Sequence, residues 1–329
     1  MGPLGNVVQC RIWGGGFKSP QIGVLLGYRS PDKLVFSSLT PIFMNPYQKF
    51  VNAHVRLVQD GRSLPLGGLK TPRRAAPAAD ALVALVFSPH PDDECIIGAL
   101  PLRLLRESKL RVINVAVTQG SNRERQAARW QELKNACDWI GFGLESTAPT
   151  GLEKINPKTR QGDPAQWAAA VKIIADKLAQ FRPRVVCCPH ELDWNSTHIG
   201  THFLVVDALK TLPADFQCVL VESEFWGQMA TPNLMVESSA EDLAALLGAL
   251  SFHVGEVQRN PYHLRLPGWM IDNVRRGAEL VGGQGGAAPD FLFATLYRVS
   301  HWRNGKIEPA YTGGKTLAAG DSPTQVLGL

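Results

Sequence analysis

The chain has 329 residues, of which 45% are hydrophobic and 19% are charged, and its formal net charge is +5. This composition is that of a globular protein with enough apolar material for a core, in one large domain or two small ones. The sequence contains no long block of like charges, so it does not predict a nucleic-acid surface. No apolar run reaches the length of a membrane-spanning helix, so no span is expected.

The cysteines and the amino terminus both favour a cytoplasmic protein. The cysteines form no CxxC pair and are too sparse for a disulfide scaffold. The first residues, MGPLGNVVQCRIWGGGF, lack the cationic start and apolar stretch of a secretory signal. We therefore expect free thiols, buried in a reducing compartment, at Cys10, Cys95, Cys137, Cys187, Cys188 and Cys218.

Taken in chain order, the predicted elements alternate between strands and helices. Residues 1–80 contain scattered Gly and Pro and predict an irregular N-terminal extension. From residue 81 onward, apolar runs predict buried strands, and apolar residues three and four apart predict helices. The predicted strands are 81–88, 110–118, 184–189 and 216–225, and the predicted helices are 96–109, 123–142, 164–181 and 201–212. Residues 291–299 predict a closing edge strand, and residues 301–329 are expected to form a C-terminal tail.

This alternation predicts an α/β domain over residues 81–300, a three-layer Rossmann-like fold with a mainly parallel sheet and helices on both faces. In such a sheet, ligands bind beyond the carboxyl ends of the strands. Two polar clusters lie there: SPHPDDE (88–94) follows the first strand, and PHELDWNSTHIGTH (189–202) follows the third. We expect the fold to bring the two clusters together.

The two clusters contain the residue types of a metal site. His90 and Asp93 are three residues apart across a turn that Pro91 helps to shape. His198 and His202 are four apart, on one side of a helix if both are helical. Two imidazoles and a carboxylate with an open fourth position are the ligands of a catalytic zinc site. Alternatively, the carboxylates only cap a helix and the histidines only pack in the core.

The first cluster resembles the AHPDDE signature of the PIG-L/LmbE family of zinc-dependent N-acetylglucosaminyl deacetylases. Three further motifs, in the order and spacing of that family, extend the resemblance to roughly residues 81–300. They are Thr118-x-Gly120, Arg129-x-x-Glu132-Leu133 leading to Gly141, and Asp193-x-Asn195-x-x-His198.

The resemblance implies that His90, Asp93 and His198 bind a metal, zinc or another divalent ion such as Fe²⁺. It also implies that Asp92 is the general base. Asn195 departs from the family pattern, which has a histidine there to stabilise the oxyanion and the leaving group. An amide can donate a hydrogen bond but cannot give up a proton at neutral pH, so either Asp92 handles every proton transfer or the chemistry has drifted.

Three further residues are predicted to contact the substrate: Arg129, Asp193 and Trp226. For Arg129 the alternative is a structural ion pair with a glutamate of the same helix, and for Trp226 it is a place in the core or in a lid. Glu94 is assigned to the helix start or to a supporting contact. His202 either substitutes for the missing family histidine or packs, and His190 and His253 are interpreted as structural.

The resemblance thus implies a deacetylase that releases acetate from an N-acetylglucosamine-type sugar or conjugate, a small-molecule partner. Two alternatives stay open. The same site can hydrolyse another small N-acyl amide, or the chain can be a weakly catalytic metal domain that binds carbohydrate. The sequence also leaves a homo-oligomer open, and the loop over 141–164 is expected to shape the pocket.

Overall fold

A computed structural model describes residues 45–329 of the chain. The chain divides into two compact units between Asp60 and Gly61. The larger unit, Gly61–Leu329, is built on one mixed β-sheet. Its nine strands among the described residues are Val83–Ser88 (β1), Arg111–Ala116 (β2), Gly143–Ser146 (β3), Val185–Pro189 (β4), Cys218–Ser223 (β5), Leu234–Glu237 (β6), Ala294–Arg303 (β7), Lys306–Pro309 (β8) and Lys315–Leu317 (β9).

The helices of the described residues fill most of the chain between the strands. They are Tyr47–Gly61 (α1), Asp93–Ile96 (α2), Ala99–Arg106 (α3), Gln126–Ile140 (α4), Pro157–Gly162 (α5), Pro164–Phe181 (α6), Ser196–Lys210 (α7), Ala240–Leu250 (α8), Val254–Arg259 (α9), Leu266–Leu280 (α10) and Pro323–Leu327 (α11), with 3₁₀ turns at Arg123–Arg125 and Tyr262–Leu264. In this part of the chain, no helix has both the length and the apolar character that a membrane span requires.

The predicted three-layer architecture is confirmed. The strand order is β3-β2-β1-β4-β5-β7-β6-β9, with β8 beside β7, and the first five strands are parallel. Successive residues of a strand point to opposite faces. Val86 accordingly lies in one core with helices α3, α4 and α8, whereas Phe87 lies in a second core with helices α6 and α7. Strand β1 is therefore buried on both sides, which explains its continuous apolar run.

The predicted helix over 96–109 is divided in two at Gly98. Gly98 has φ 90°, a left-handed conformation that glycine adopts without strain. The Tyr297 hydroxyl takes the place of the lost helical bonds: it accepts from the Leu100 N–H at 3.2 Å and donates to the Ile97 carbonyl at 2.7 Å. Helix α2 therefore ends before α3 begins, and the turn that carries Asp93 is set by a contact from a distant strand.

The C-terminal part of the chain differs from the prediction. Strand β7 is not a closing edge strand, because it lies between β5 and β6 and is antiparallel to both. Residues 301–329 are part of the fold rather than a separate tail, since β9 pairs with β6. The buried guanidinium of Arg103 fixes this segment by donating to the carbonyls of Leu317 and Ala318 at 3.1 and 3.0 Å.

The N-terminal extension is less irregular than the sequence predicts. Residues 47–61 form helix α1, in which Phe50, Val51, Val55 and Val58 recur at helical spacing and no proline interrupts the backbone. Residues 62–80 form no helix or strand, as predicted. Residues 1–44 of the predicted extension, with Cys10, lie outside the described residues.

Candidate active site

The carboxyl ends of β1 and β4 bring together His90, Asp93 and His198. His90 follows β1, Asp93 begins α2, and His198 lies in the first turn of α7, which follows β4. Nδ1 of His90 lies 3.2 Å from Nε2 of His198, and Oδ2 of Asp93 lies 3.5 Å from the first and 3.3 Å from the second. The expectation that the two polar clusters meet is confirmed for these three side chains.

The three side chains fit a divalent metal. Asp93 and His198 are 1% and 0% exposed, and one ligand atom from each of the three residues lies within 4.8 Å of the others. The ring nitrogens of His90 and His198 are 3.2 Å apart, so one must carry a proton toward the other, and a metal bound by both would take the place of that proton. Two imidazoles and a carboxylate are also the donor set that zinc prefers.

Asp93 and His198 shift each other's pKa. Burial alone would raise the pKa of Asp93, but the charge of His198 and hydrogen bonds from both histidines hold it well below its usual value. Burial alone would lower the pKa of His198, but the carboxylate of Asp93 raises it. Asp93 is therefore ionised, as a metal ligand must be.

Asp92 lies beside this cluster in a strained backbone conformation. Its φ is 113° and its ψ is −26°, a region that non-glycine residues rarely occupy. Such strain costs on the order of 1–3 kcal/mol and persists only where the surroundings impose it. Burial, and then the adjacent charge of Asp93, raise the pKa of Asp92 to about 7. A buried carboxylate that titrates near neutrality is suited to accept and return a proton.

Contacts from the segment 253–262 hold Asp92 in place. The Tyr262 hydroxyl donates to Oδ2 of Asp92 at 2.6 Å. The Asp92 N–H donates to Oε2 of Glu94 at 2.9 Å, and Nε2 of His253 contacts Oε1 of Glu94 at 2.6 Å. Glu94 and His253 are both fully buried, and the carboxylate raises the pKa of the imidazole although burial alone would lower it. Glu94 thus supports Asp92, in agreement with its predicted supporting role.

Sequence reasoning missed Tyr262 and Phe225 in this site. The ring of Phe225, just after β5, meets the ring of His198 edge-on at a centroid distance of 5.0 Å. Neither aromatic belongs to a motif or to a periodic pattern. The only available signal for Phe225 was its position at the carboxyl end of a predicted strand.

Asn195 caps helix α7, one turn before His198. Its Oδ1 accepts from the Thr197 N–H at 2.8 Å, which fixes the orientation of the amide and leaves its NH₂ group as the part that can donate to a ligand. His202 does not join the metal cluster, because its Nδ1 lies 3.1 Å from the Pro189 carbonyl. The packing alternative for His202 therefore agrees with the structure.

Two other groups of acidic and histidine side chains among the described residues have the spacing of metal ligands. In one, Glu191 and Glu222 already accept hydrogen bonds from the guanidinium of Arg298, and His202 lies beside Glu222. In the other, Glu94, Cys95 and His253 form the closed contact described above. The first group is thus neutralised by a cation of the chain itself, and in the second the carboxylate is already held by Cys95 and His253.

The predicted substrate-binding residues lie near the site with different exposure. Nη2 of Arg129 donates to the Pro91 carbonyl at 2.8 Å, and the charge of this guanidinium lowers the pKa of Asp92, against the larger effect of burial. Asp193 is 2% exposed and accepts from three backbone N–H groups. Trp226 is 43% exposed, and its ring lies 5.7 Å from that of Tyr262. Substrate contact stays a prediction for all three.

Comparison with solved structures shows the fold. A 4-carboxy-2-hydroxymuconate hydratase from Pseudomonas putida is 14% identical, with a TM-score of 0.50, and the match covers 66% of this chain and 95% of that chain. An N,N′-diacetylchitobiose deacetylase from Pyrococcus horikoshii is similar at 16% identity and a TM-score of 0.47, covering 78% and 94% of the two chains. A conserved protein from Thermus thermophilus is 21% identical, with a TM-score of 0.48 and coverage of 66% and 93%.

Comparison by sequence gives one match. No curated protein sequence matches the chain. Residues 85–209 match the family model described as PIG-L, GlcNAc-PI de-N-acetylase. This range contains the whole candidate metal cluster, Asp92 and Asn195. The resemblance that the motifs indicate is thereby confirmed over residues 85–209, which are similar to the PIG-L family.

Proposed function

We propose that this protein hydrolyses the N-acetyl amide of an N-acetylglucosamine-type sugar or conjugate and releases acetate and the free amine. The observation that carries the proposal is the convergence of His90, Asp93 and His198 next to Asp92, a buried base with a pKa of about 7. The match to a family described as a de-N-acetylase supports the same reaction.

In this proposal, His90, Asp93 and His198 hold one divalent ion, which we infer to be zinc, with Fe²⁺ as the alternative. When bound there, the ion supplies a positive charge that polarises the acetyl carbonyl and lowers the pKa of water from 15.7 to about 7. The burial of Asp93 and His198 keeps bulk water from competing for the ligand atoms.

Asp92 moves the proton in the reaction. As the water oxygen bonds to the acetyl carbon, Asp92 accepts the proton that this water gives up, and it then delivers the proton to the amine nitrogen as the carbon–nitrogen bond breaks. Tyr262 occupies Oδ2 of Asp92, so Oδ1 is the oxygen that we assign to proton transfer. The products are acetate and the free amine, and the carboxylate returns to its starting state.

Asn195 and the predicted substrate-binding residues complete the proposed site. The NH₂ group of Asn195 donates to the carbonyl oxygen as negative charge develops on it. Trp226 packs against the sugar ring, whereas Arg129 and Asp193 shape the site through the backbone groups that they bind. A small-molecule substrate and a cytoplasmic location are part of the proposal, and the five described cysteines, which are buried and unpaired, agree with the latter.

The proposal is tested by acetate release from a panel of N-acetyl sugars, coupled to metal analysis of the purified protein. We expect turnover of N-acetylglucosamine or its glycosides by protein that contains one equivalent of a divalent ion, and loss of turnover with a chelator. Metal-loaded protein that turns over another N-acyl amide but no N-acetyl sugar would contradict the proposed substrate class. Full turnover after metal removal would contradict the proposed site.

A further inference from the structure

Three large apolar side chains are exposed on the two loops that flank the metal cluster. Leu192 and Trp194, in the loop after β4, are 67% and 80% exposed, and Trp226, in the loop after β5, is 43% exposed. We call these three residues the aromatic rim. Apolar surface left in water costs about 25 cal/mol per Å², and contiguous exposed apolar groups with polar surroundings typically mark a binding site.

Asp193 fastens the two loops to each other. Its carboxylate accepts from the Asn195 N–H at 2.8 Å and from the N–H groups of Trp226 and Gly227 at 3.1 Å each. A Cβ at Gly227 would lie 2.8 Å from the Asp193 Cα, so the two backbones touch. The backbone that carries the rim is thus held in place before any ligand arrives, so binding to it costs little backbone ordering entropy.

An aromatic surface connects the rim to the proposed catalytic residues. The ring of Trp226 lies 5.7 Å from the ring of Tyr262, whose hydroxyl donates to Asp92 at 2.6 Å. Phe225, the neighbour of Trp226, contacts the ring of His198. A ligand group that packs on Trp226 is therefore near enough to belong to the same molecule as an amide that reaches Asp92.

Three polar side chains next to the rim are already used within the protein, at least in part. Asp193 is buried by its three N–H donors, Oδ1 of Asn195 caps α7, and Glu191 is paired with Arg298. A second sugar ring would need hydrogen-bonding partners for its hydroxyls, whereas an apolar group needs only the surface that the rim offers.

We propose that Leu192 and Trp194 of the aromatic rim bind an apolar or aromatic group that the substrate carries beyond its N-acetyl amino sugar, whose ring packs against Trp226. This inference rests on the proposed function and narrows it to conjugates with an apolar aglycone. Trp194 is the residue that sets this preference, because it is the most exposed of the three and directly precedes Asn195.

The test compares kcat/KM for acetate release from p-nitrophenyl N-acetyl-β-D-glucosaminide, free N-acetylglucosamine and N,N′-diacetylchitobiose. We expect the metal-loaded wild type to prefer the p-nitrophenyl glycoside to the free sugar by about tenfold or more, the effect of filling an apolar pocket with one extra group. Trp194→Ala should bring this ratio close to one. Ile307→Ala is the matched control, since Ile307 is 45% exposed but lies on β8 opposite Trp302, at the amino end of β5.

Three outcomes would overturn the inference. The first is a wild-type ratio near one, and the second is a ratio that Trp194→Ala leaves unchanged. The third is an equal gain with the disaccharide, which would assign the rim to a second sugar ring. If none of the sugars releases acetate, the proposed function fails. Calorimetric titration of the metal-loaded protein with the p-nitrophenyl glycoside then tests the role of the rim separately. Binding that Trp194→Ala weakens supports this role, and equal binding by both proteins or no binding overturns it.

Discussion

Replacing Asp92 by asparagine should slow hydrolysis strongly and at the same time stabilise the metal-free protein. Asparagine has nearly the same shape, tolerates a positive φ, and its Oδ1 can still accept from the Tyr262 hydroxyl. The substitution therefore removes the titrating group with little change in packing. Without a carboxylate to accept the proton of the attacking water, we expect kcat to fall by about 10² to 10⁴.

The expected stabilisation follows from the pKa of Asp92, which is raised from 3.8 to about 7 by burial and by the charge of Asp93. This rise corresponds to an upper value of about 4 kcal/mol against the charged form. Between about pH 4 and pH 7, the folded protein keeps a proton on Asp92 that the unfolded chain has released, so raising the pH through this range destabilises the wild type. The asparagine side chain of the variant carries no charge and avoids this loss.

Thermal unfolding of the metal-free wild type and of Asp92→Asn at about pH 4 and pH 8 measures this effect. We expect similar midpoints at the lower pH and a higher midpoint for the variant at pH 8, by about 2–4 °C for each kcal/mol. Asp93→Asn serves as the control that should lose the metal, whereas Asp92→Asn should keep it. A midpoint difference that does not change with pH would refute the argument from burial, and loss of metal in Asp92→Asn would show that Asp92 is a ligand.

Three further predictions concern the metal site, Asn195 and Tyr262. His198→Ala should abolish binding of one equivalent of zinc, whereas His202→Gln should retain it because Nδ1 of His202 faces the Pro189 carbonyl. Elemental analysis measures the zinc content of both variants, and zinc retained by the His198 variant would exclude His198 as a ligand. Asn195→Ala should lower kcat by about 10² to 10³ through loss of the amide donor. Asn195→Ser keeps a helix cap, so it should lose as much activity but less stability than Asn195→Ala. An unchanged kcat in Asn195→Ala would remove the amide from the mechanism. Tyr262→Phe removes a hydrogen bond to a buried carboxylate, worth about 1.5–3 kcal/mol, so we expect kcat to fall about 10- to 100-fold with little change in KM. A rise in KM with kcat unchanged would assign Tyr262 to substrate binding instead.

The sequence by itself determines the parts of this protein that depend on local patterns. The apolar periodicity predicts helix 164–181, which coincides with α6, and the continuous apolar run at 81–88 contains β1. Because parallel strands end at one edge of the sheet, the positions of His90, Asp93 and His198 after predicted strands are enough to bring them together. For these segments the spacing of apolar residues is enough to indicate both the burial and the type of element.

Only the tertiary structure decides which distant groups complete the site. Tyr262 lies 170 positions from Asp92, and its segment has neither a motif nor a regular apolar pattern that points to the catalytic edge. The central position of β7 depends likewise on pairing with two strands that are remote in the chain. Asp193 is polar in the sequence, but in the folded protein its carboxylate accepts hydrogen bonds from backbone N–H groups of the loop after β5. Such contacts are decided by the packing of the whole sheet with its helices, because no local preference distinguishes one distant partner from another.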